Sequence, residues 1–482
     1  KIRFLARDDE ILKVETMVSD EIVYENAWIS GFSGRTVTVF IGNIQREFPV
    51  KGVLKDESEI SGQIGDLYLK GGTPKRLVLK KEKITGTVLA VRDTEIEIDG
   101  YGSVPLADQF KIYRTYGVLR EQQKKDILVG YHMQEFVVAD GKICAALTTE
   151  KPDIDMIRVL IMTNGFKSLF HDTITLSCDS MAVLEYGDEK DAKTESIAAG
   201  ETVTIKPGDS RLASGRLTFR SANEGGMISL ERAQGMPVYP GHMEITEESD
   251  GLLLLNEVDL EEYLKRVTPS EMPPTYELEA LKAQAVCART YAWRQIQGNA
   301  YSTYGAHVDD STNFQVYNNT LTFDSTDTAV NETFGQLLEY NGDPIEAFYY
   351  STSDGHGTDG SVWGADASNT PYLRAVTINN KAKKLDLTSN EAFESFIKDE
   401  NTDAYDSDFP MFRWNTKTTS TILDEKIGGV GRITGLTITS RGAGGYAKTL
   451  KVVGTEGSKT FSGQSRIRSI LGNVSLVYNR KD

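Results

Sequence analysis

"TPSEMPPTYELEALKAQAVCARTYAW", Thr268 to Trp293, constrains this chain more than any other stretch: three prolines set one carboxylate, Glu271, between two helical patterns. Pro269 disfavours the helical region at Thr268, so a helix through "NEVDLEEYLKRV" is expected to stop near Val267. In that helix Asp259 is placed to cap and Glu262 comes three residues later, as in a capping box. Leu260, Tyr263, Leu264 and Val267 share one face. Pro273 and Pro274 fix two further φ angles. Thr275 then reads as the N-cap of a second helix, with Glu277 and Glu279 in its first turns, where the macrodipole favours acids. Leu278, Leu281, Ala285, Ala288 and Ala292 recur at helical spacing and are mostly small, so another element must pack closely against them. Lys282 and Arg289 lie two turns apart on one face of this helix. The expected geometry is a helix, a rigid turn bearing Glu271, and a helix bearing two cations.

Upstream, residues 1 to about 150 are β-rich, with alternating runs such as "TVTVFIG" and "TEIEIDG" bounded by glycine and proline turns. Residues 36–50 resemble 94–106, and 63–83 resemble 128–151, at a spacing of about 60 residues, which suggests two related small β modules. "EKPDID" at 150–155 reads as a boundary. Beyond it lie a β-rich lead-in segment (about 156–255), the helical segment (about 256–297) and a long mixed region. Within that region 387–400 reads as a capped amphipathic helix, 432–454 as a hairpin and 462–472 as a short helix. The fold class is therefore α+β: mainly β N-terminal modules (1–150) and then a mixed domain (151–482).

A length of 482 residues implies roughly two to four domains. The formal net charge of −17 argues against nucleic acid or an anionic membrane surface as the main partner. No run of 18 apolar residues occurs, so no transmembrane segment is expected within this chain. The sequence opens on Lys1 and not Met, which suggests a trimmed N-terminus that could have carried a signal peptide or membrane anchor. Cys144, Cys178 and Cys287 are too few and too scattered for a disulfide framework or a zinc spacing, and Cys178 and Cys287 read as buried small hydrophobes. Of the five histidines only His307, in "GAHVDD" with Asp309 and Asp310, resembles a metal cluster, and a solvated loop explains it as well. His356, between two glycines, reads as part of a flexible surface loop. Phe348, Tyr349 and Tyr350 alternate like a buried strand, which leaves at most one face to stack on a ligand.

"VDLEEYLKRVTPSEMPPTYELEALKAQAVCARTYA" strongly resembles the signature of the SpoIID/LytB family. The likeness continues in "HVDDSTNFQVY", in "FYYSTSDGHGTDGSVWGADASNTPYLRAV" and in "GRITGLTITSRG…FSGQSRIRSILG", from about 156 to the end. The resemblance implies a SpoIID-type α+β domain that acts on peptidoglycan. It implies a lytic transglycosylase on MurNAc–GlcNAc linkages of peptide-stripped glycan strands, or else a modifier of a cell-wall amidase. In the first reading the match to "PSEMP" makes Glu271 the catalytic acid. Lys282 and Arg289 match groove cations, Ser351 and Ser353 match the family's serine segment, and Tyr350 beside them is assigned to substrate binding. Some members bind zinc through His and Cys near "QVY"; "DDSTNFQVY" has no cysteine, so no metal is expected here, and no cofactor. Members commonly continue into a glycine- and histidine-rich tail, whereas this chain ends "SLVYNRKD"; the expectation is that the tail is cut or disordered, or else that part of the site is missing. The expected location is extracellular or wall-facing.

One glutamate suffices for the implied chemistry. A hydrolytic glycosidase needs two carboxylates. In a lytic transglycosylase the sugar's own 6-hydroxyl attacks the anomeric carbon, so intramolecularity replaces the second. The single acid gives a proton to the departing O4 and takes one from O6. It must be protonated to start, which partial burial beside Met272 and the prolines would favour. Lys282 and Arg289 are then expected on N-acetyl or lactyl groups, or on developing charge; the lactyl carboxylate bared by an amidase suits a cation.

Overall fold

The computed structural model describes residues 2–471 apart from 8–9, 18–20, 34–35, 50–59, 72, 188–190, 233–234, 318–320, 365, 400–402 and 415–417; "SLVYNRKD" lies outside the described residues. The chain divides into two compact units, 1–338 and 339–482. Strands and helices are both abundant, and the fold is α+β as expected.

The first unit opens with a hairpin, Ile2–Arg7 with Glu10–Met17, followed by two larger β-sheets. One is antiparallel throughout, from Glu21–Ser33 to Thr73–Lys80, and its period-two alternation buries Ile29, Val37, Val39, Leu67 and Leu69 on one face. The next spans Glu82–Thr85 to Lys142–Thr148 over a core including Ile96, Ile98, Phe136 and Ile143. The four segments that look alike in sequence are hairpins in these two sheets. The long strands differ in their pairing: Glu21–Ser33 runs antiparallel to Gln63–Lys70, whereas Gly102–Arg114 runs parallel to Lys142–Thr148.

After residue 155 the chain builds a larger sheet in which Gly251–Asp259 pairs antiparallel with both His242–Glu248 and Met156–Leu160. Its near-continuous apolar run "LLLL" is buried on both faces: Leu252 and Leu254 join the cluster that holds the smaller sheet centred on Ile174–Cys178 and the helices, and Leu253 and Leu255 pack with Leu160, Phe170, Tyr304 and Ala306. Leu128, Tyr131 and Met133 belong to the same hydrophobic cluster as Ile157, Val258 and Leu260, so packing is continuous across 150–155. Polar contacts cross it too. Asn299 Nδ2 donates to the Ile127 carbonyl at 2.6 Å, and Arg216 pairs with Glu97 at 3.2 Å.

Beneath the sheet Arg158, 1% exposed, is held by Glu244 and Glu257, and Glu244 is shared with Arg216. A buried guanidinium is tolerable only when its donors meet carboxylates in this way. The stem of Arg158 passes so close to Gly130, at φ +78°, that an added Cβ there would sit 2.5 Å from its Cδ. Both the conformation and the space therefore require glycine.

Three helices complete the unit: α1 (Leu260–Glu271), α2 (Leu278–Gly298) and α3 (Asp324–Glu332). Asp259 caps α1 as expected, accepting from the Glu261 and Glu262 N–H groups. Two boundaries differ from the sequence reading. Helix α1 does not stop near Val267 but runs through Pro269 to Glu271. The proline removes one N–H from the last turn, where Ser270 Oγ bonds the Arg266 carbonyl and Met272 N–H bonds the Thr268 carbonyl. Thr275 does not cap α2, which starts after Glu277 with no side-chain cap; Pro273 and Tyr276 instead close a turn between the helices. Leu281, Ala285, Ala288 and Ala292 form the buried stripe, whereas Leu278 is exposed. Cys178 is buried and Cys287 half-buried.

The second unit contains the expected hairpin, Ile433–Arg441 with Ala447–Gly454, extended by a third strand, Gly457–Ser462. Helices α5 (Ser420–Ile427) and α6 (Gln464–Leu471) close its core through Leu423, Ile427, Ile467 and Ile470 against Leu450 and Val452. The amphipathic helix α4 (Asn390–Lys398) is capped by Ser389, which accepts from Ala392 N–H. The expected buried strand at Phe348–Tyr350 is not formed. These residues are irregular, Tyr350 is 63% exposed, and Phe348 stacks at 5.5 Å on Trp363 instead of entering a sheet ladder.

Candidate functional site

Glu271 is the last residue of α1, half-buried, with Oε1 accepting from the Val316 N–H at 2.9 Å. It stands at the carbonyl end of the helix, the negative pole of its dipole. Val316 reaches it because the segment 309–317 is pinned on both sides. Asp309 accepts from Ser311 N–H, from the Tyr301 hydroxyl at 2.8 Å and from Asn313 Nδ2 at 3.1 Å. Gln315 bridges the Tyr263 hydroxyl on α1 and the Ala288 carbonyl on α2. The Tyr317 hydroxyl donates to Asn256 Oδ1 at 2.9 Å, and its ring lies 4.7 Å from that of Tyr263. A backbone donor is thus aimed at the carboxylate by buried contacts to a strand and both helices.

The His307 segment, which resembles a metal cluster in sequence, is differently employed. His307 is fully buried, with Nδ1 accepting from Arg158 N–H at 3.0 Å and Nε2 donating to the Val129 carbonyl at 2.9 Å. Both ring nitrogens are engaged, so the solvated-loop reading also fails for this residue. Burial pushes its pKa down to about 3. Asp310 accepts from Met162 N–H and Arg232, and burial pushes it up to about 6. Elsewhere His242, Glu244 and Glu257 bring ligand-type atoms within 4.8 Å of one another. Burial alone would raise Glu244, but Arg158 and Arg216 outweigh it and hold the carboxylate well below its usual range. The cluster is neutralised by guanidinium groups.

The two cations on α2 have different surroundings. Lys282 is half-buried and bonded to Glu279 at 2.7 Å and Glu332 at 2.6 Å, and these two carboxylates raise its pKa. Arg289 is 1% exposed. Its Nε and Nη2 meet both oxygens of Glu261 at 2.7 and 2.6 Å, and Nη2 also donates to the Val330 carbonyl. It ties α1, α2 and the end of α3 together. The sequence reading did not single out Glu261, whose place in the first turn of α1 accounts for an acid there without a partner.

Tyr350, Ser351 and Ser353 belong to the second unit, whereas Glu271, Lys282 and Arg289 belong to the first. Tyr350 and Ser351 are exposed, and Ser353 is half-buried, with its N–H on Asp406 and its Oγ accepting from Gly355 N–H. His356 is not on a flexible surface loop. It is 5% exposed, donates from Nδ1 to the Gly357 carbonyl at 2.7 Å and accepts at Nε2 from Leu385 N–H.

Comparison with known proteins places a name on part of the chain. A family model described as stage II sporulation protein, SpoIID, matches residues 248–340, and a model for a domain of unknown function, DUF8618, matches 359–478. The chain is 39% identical over 134 residues to stage II sporulation protein D of Bacillus subtilis, covering 25% of this chain and 38% of that one. It is 44% identical over 114 residues to the amidase enhancer of Bacillus subtilis, covering 23% of this chain and 14% of the relative. An uncharacterized protein of Brachyspira hyodysenteriae is 38% identical over 141 residues, 29% of this chain and 37% of its own length. The chain thus spans less than two fifths of the length of these curated relatives. The matched segment holds α1, α2, α3 and the 309–317 segment, and it makes residues 248–340 a SpoIID-family domain.

Proposed function

We propose that this protein works at the bacterial cell wall as a lytic transglycosylase on peptide-stripped peptidoglycan glycan strands, with Glu271 as its general acid and base. The observation that carries this reading is the placement of Glu271: one half-buried carboxylate at the end of α1, oriented by the Val316 N–H. The carbonyl end of the helix opposes added negative charge, which suits a group that must begin as an acid. In the reaction Glu271 gives its proton to O4 as the C1–O4 bond breaks. The 6-hydroxyl forms the C1–O6 bond and returns a proton to Glu271, leaving a 1,6-anhydro end. Lys282 offers a contact to the strand in the first unit; Tyr350, Ser351 and Ser353, in the second unit, are each taken by themselves as glycan contacts. Arg289 acts through the helix packing, because its guanidinium is already bonded to Glu261. In this proposal the glycan-acting part begins after residue 150. No helix among the described residues is long and apolar enough to cross a membrane.

The likeness to a protein named amidase enhancer supports a second reading, in which the chain grips glycan and stimulates an N-acetylmuramoyl-L-alanine amidase without cutting. Product analysis separates the two. The parent and Glu271→Gln are given glycan strands with and without prior amidase stripping, and ends are identified by mass spectrometry. Anhydro ends should form from stripped strands with the parent and drop by about 10²-fold or more in the variant. Strands that bind both proteins and stay uncut would make the chain an accessory factor.

A further inference from the structure

Asp309 is fully buried, and each of its oxygens accepts from two donors. Oδ1 takes the Ser311 N–H at 2.9 Å and the Ser311 hydroxyl at 2.5 Å. Oδ2 takes the Tyr301 hydroxyl at 2.8 Å and Asn313 Nδ2 at 3.1 Å. A carboxylate offers about four lone-pair sites, so these donors fill it, and burial of such a group is tolerable only when they do. The donors come from both sides of Asp309 in the chain and close 301–313 into a loop. Its backbone is seated too: Val308–Asp309 runs beside Val159–Leu160, and the Asp310 N–H bonds the Leu160 carbonyl at 3.1 Å. From there the chain turns at Phe314, whose N–H bonds the Ser311 carbonyl, and the Tyr317 N–H returns to the Asp310 carbonyl at 3.2 Å. Val316, which donates to Glu271 at 2.9 Å, lies inside that last closure.

Some SpoIID/LytB members hold zinc near "QVY", and the residues here do not fit one. Zinc takes thiolate, imidazole or carboxylate ligands with lone pairs to give. No cysteine follows Cys287 in the sequence. His307 has one ring nitrogen on the Arg158 N–H and the other on the Val129 carbonyl, and Asp310 is bonded to the Met162 N–H and to Arg232. With the lone pairs of Asp309 filled as well, a metal would have to break these bonds before it met a ligand. We infer that Asp309 is a positioning residue for Glu271: its carboxylate, in place of a metal, fixes the 309–317 turn so that the Val316 N–H meets the acid. Its effect on turnover rests on the transglycosylase reading; its hold on Val316 does not.

Isotope labelling of valine in the full chain, read by NMR, follows the Val316 N–H directly, with the resonance assigned by its loss in Val316→Ile. Hydrogen exchange at Val316 should quicken by about tenfold or more in Asp309→Asn, which keeps the side chain's size but turns one acceptor into a donor. Asn313→Ala, at an exposed position, should quicken it by about threefold, and it carries the test alone if Asp309→Asn does not fold. On stripped glycan strands kcat should fall by about tenfold in Asp309→Asn with KM changed by less than about twofold. A chelator or added zinc should alter neither the exchange nor the unfolding midpoint of the parent. Parental exchange at Val316 in the folded variants, quickened exchange with kcat unchanged, or bound zinc whose removal quickens exchange would overturn the inference. Quickened exchange in a chain that yields no anhydro ends would keep the hold on Val316 and remove the transglycosylase. Anhydro ends from a chain whose Val316 exchange ignores both substitutions would do the reverse.

Discussion

At the scale of single residues, Arg289 shows how a matched motif position acquires its role from its neighbours. A guanidinium buried among three helices is stable only while Glu261 faces it, and removing one partner leaves an uncompensated charge. Arg289→Met and Glu261→Gln should each destabilise the first unit by roughly 3–5 kcal/mol. The double replacement should cost less than the sum of the two singles, because it strands no charge. Denaturant unfolding of all three variants checks this, and strictly additive effects would show that the pair is not a unit. Lys282 should behave differently. Its two carboxylate partners are more exposed than it is, so Lys282→Met should leave the unfolding midpoint nearly unchanged.

At the scale of elements, the 303–317 stretch joins His307 to the segment that presents Val316. The folded protein keeps His307 neutral down to about pH 3, whereas the unfolded chain takes up the proton near the ordinary value of 6.5. The unfolded state therefore binds more protons in between. The stability due to His307 is complete above pH 6.5 and is lost as pH falls toward 3, by a few kcal/mol at most. Asp310 works in the opposite sense. Its raised pKa means that stability is gained as pH falls from about 6 toward its ordinary 3.8. In His307→Asn the amide oxygen can take over the Arg158 N–H bond without titrating. The advantage of the parent over this variant should shrink as pH drops from 6.5 to 4, measured by unfolding at each pH. Parallel stability curves would remove His307 from the account.

At the scale of the whole molecule, each of the two units has its own core, and their limits differ from the boundary read at 150–155 in one informative way. The Asn299–Ile127, His307–Val129 and Arg216–Glu97 contacts, together with the shared hydrophobic cluster, join the N-terminal sheets to the remainder of the first unit. A fragment 1–338 should unfold cooperatively on its own. A fragment 151–482 should be markedly less stable, because the loss of Leu128, Tyr131 and Met133 would leave apolar surface exposed. Calorimetry on both fragments tests this, and equal stability of 151–482 and the full chain would show that the crossing contacts contribute little.

What the sequence determined by itself was local. Asp259 capping α1, the small-residue stripe of α2, the Ser389 cap and the 432–454 hairpin all arise from periodicity and cap chemistry over a few residues, where backbone preference decides. The "PSEMP" segment likewise singled out Glu271 by pattern. Tertiary structure decided the rest, because it depends on groups far apart in the chain. Helix α1 ran one turn further, through Pro269, with Ser270 Oγ and Met272 N–H bonding the Arg266 and Thr268 carbonyls in that turn. Val316 met Glu271 from 45 residues away. Arg289, on the same helix face as Lys282, was buried because α1 and α3 supplied a carboxylate and carbonyls. His307 and His356 became fixed core residues, although short-range pattern marked one as a metal ligand or solvated and the other as mobile. Burial and long-range pairing set the charge and reach of a side chain, and neither is encoded in the residues immediately beside it.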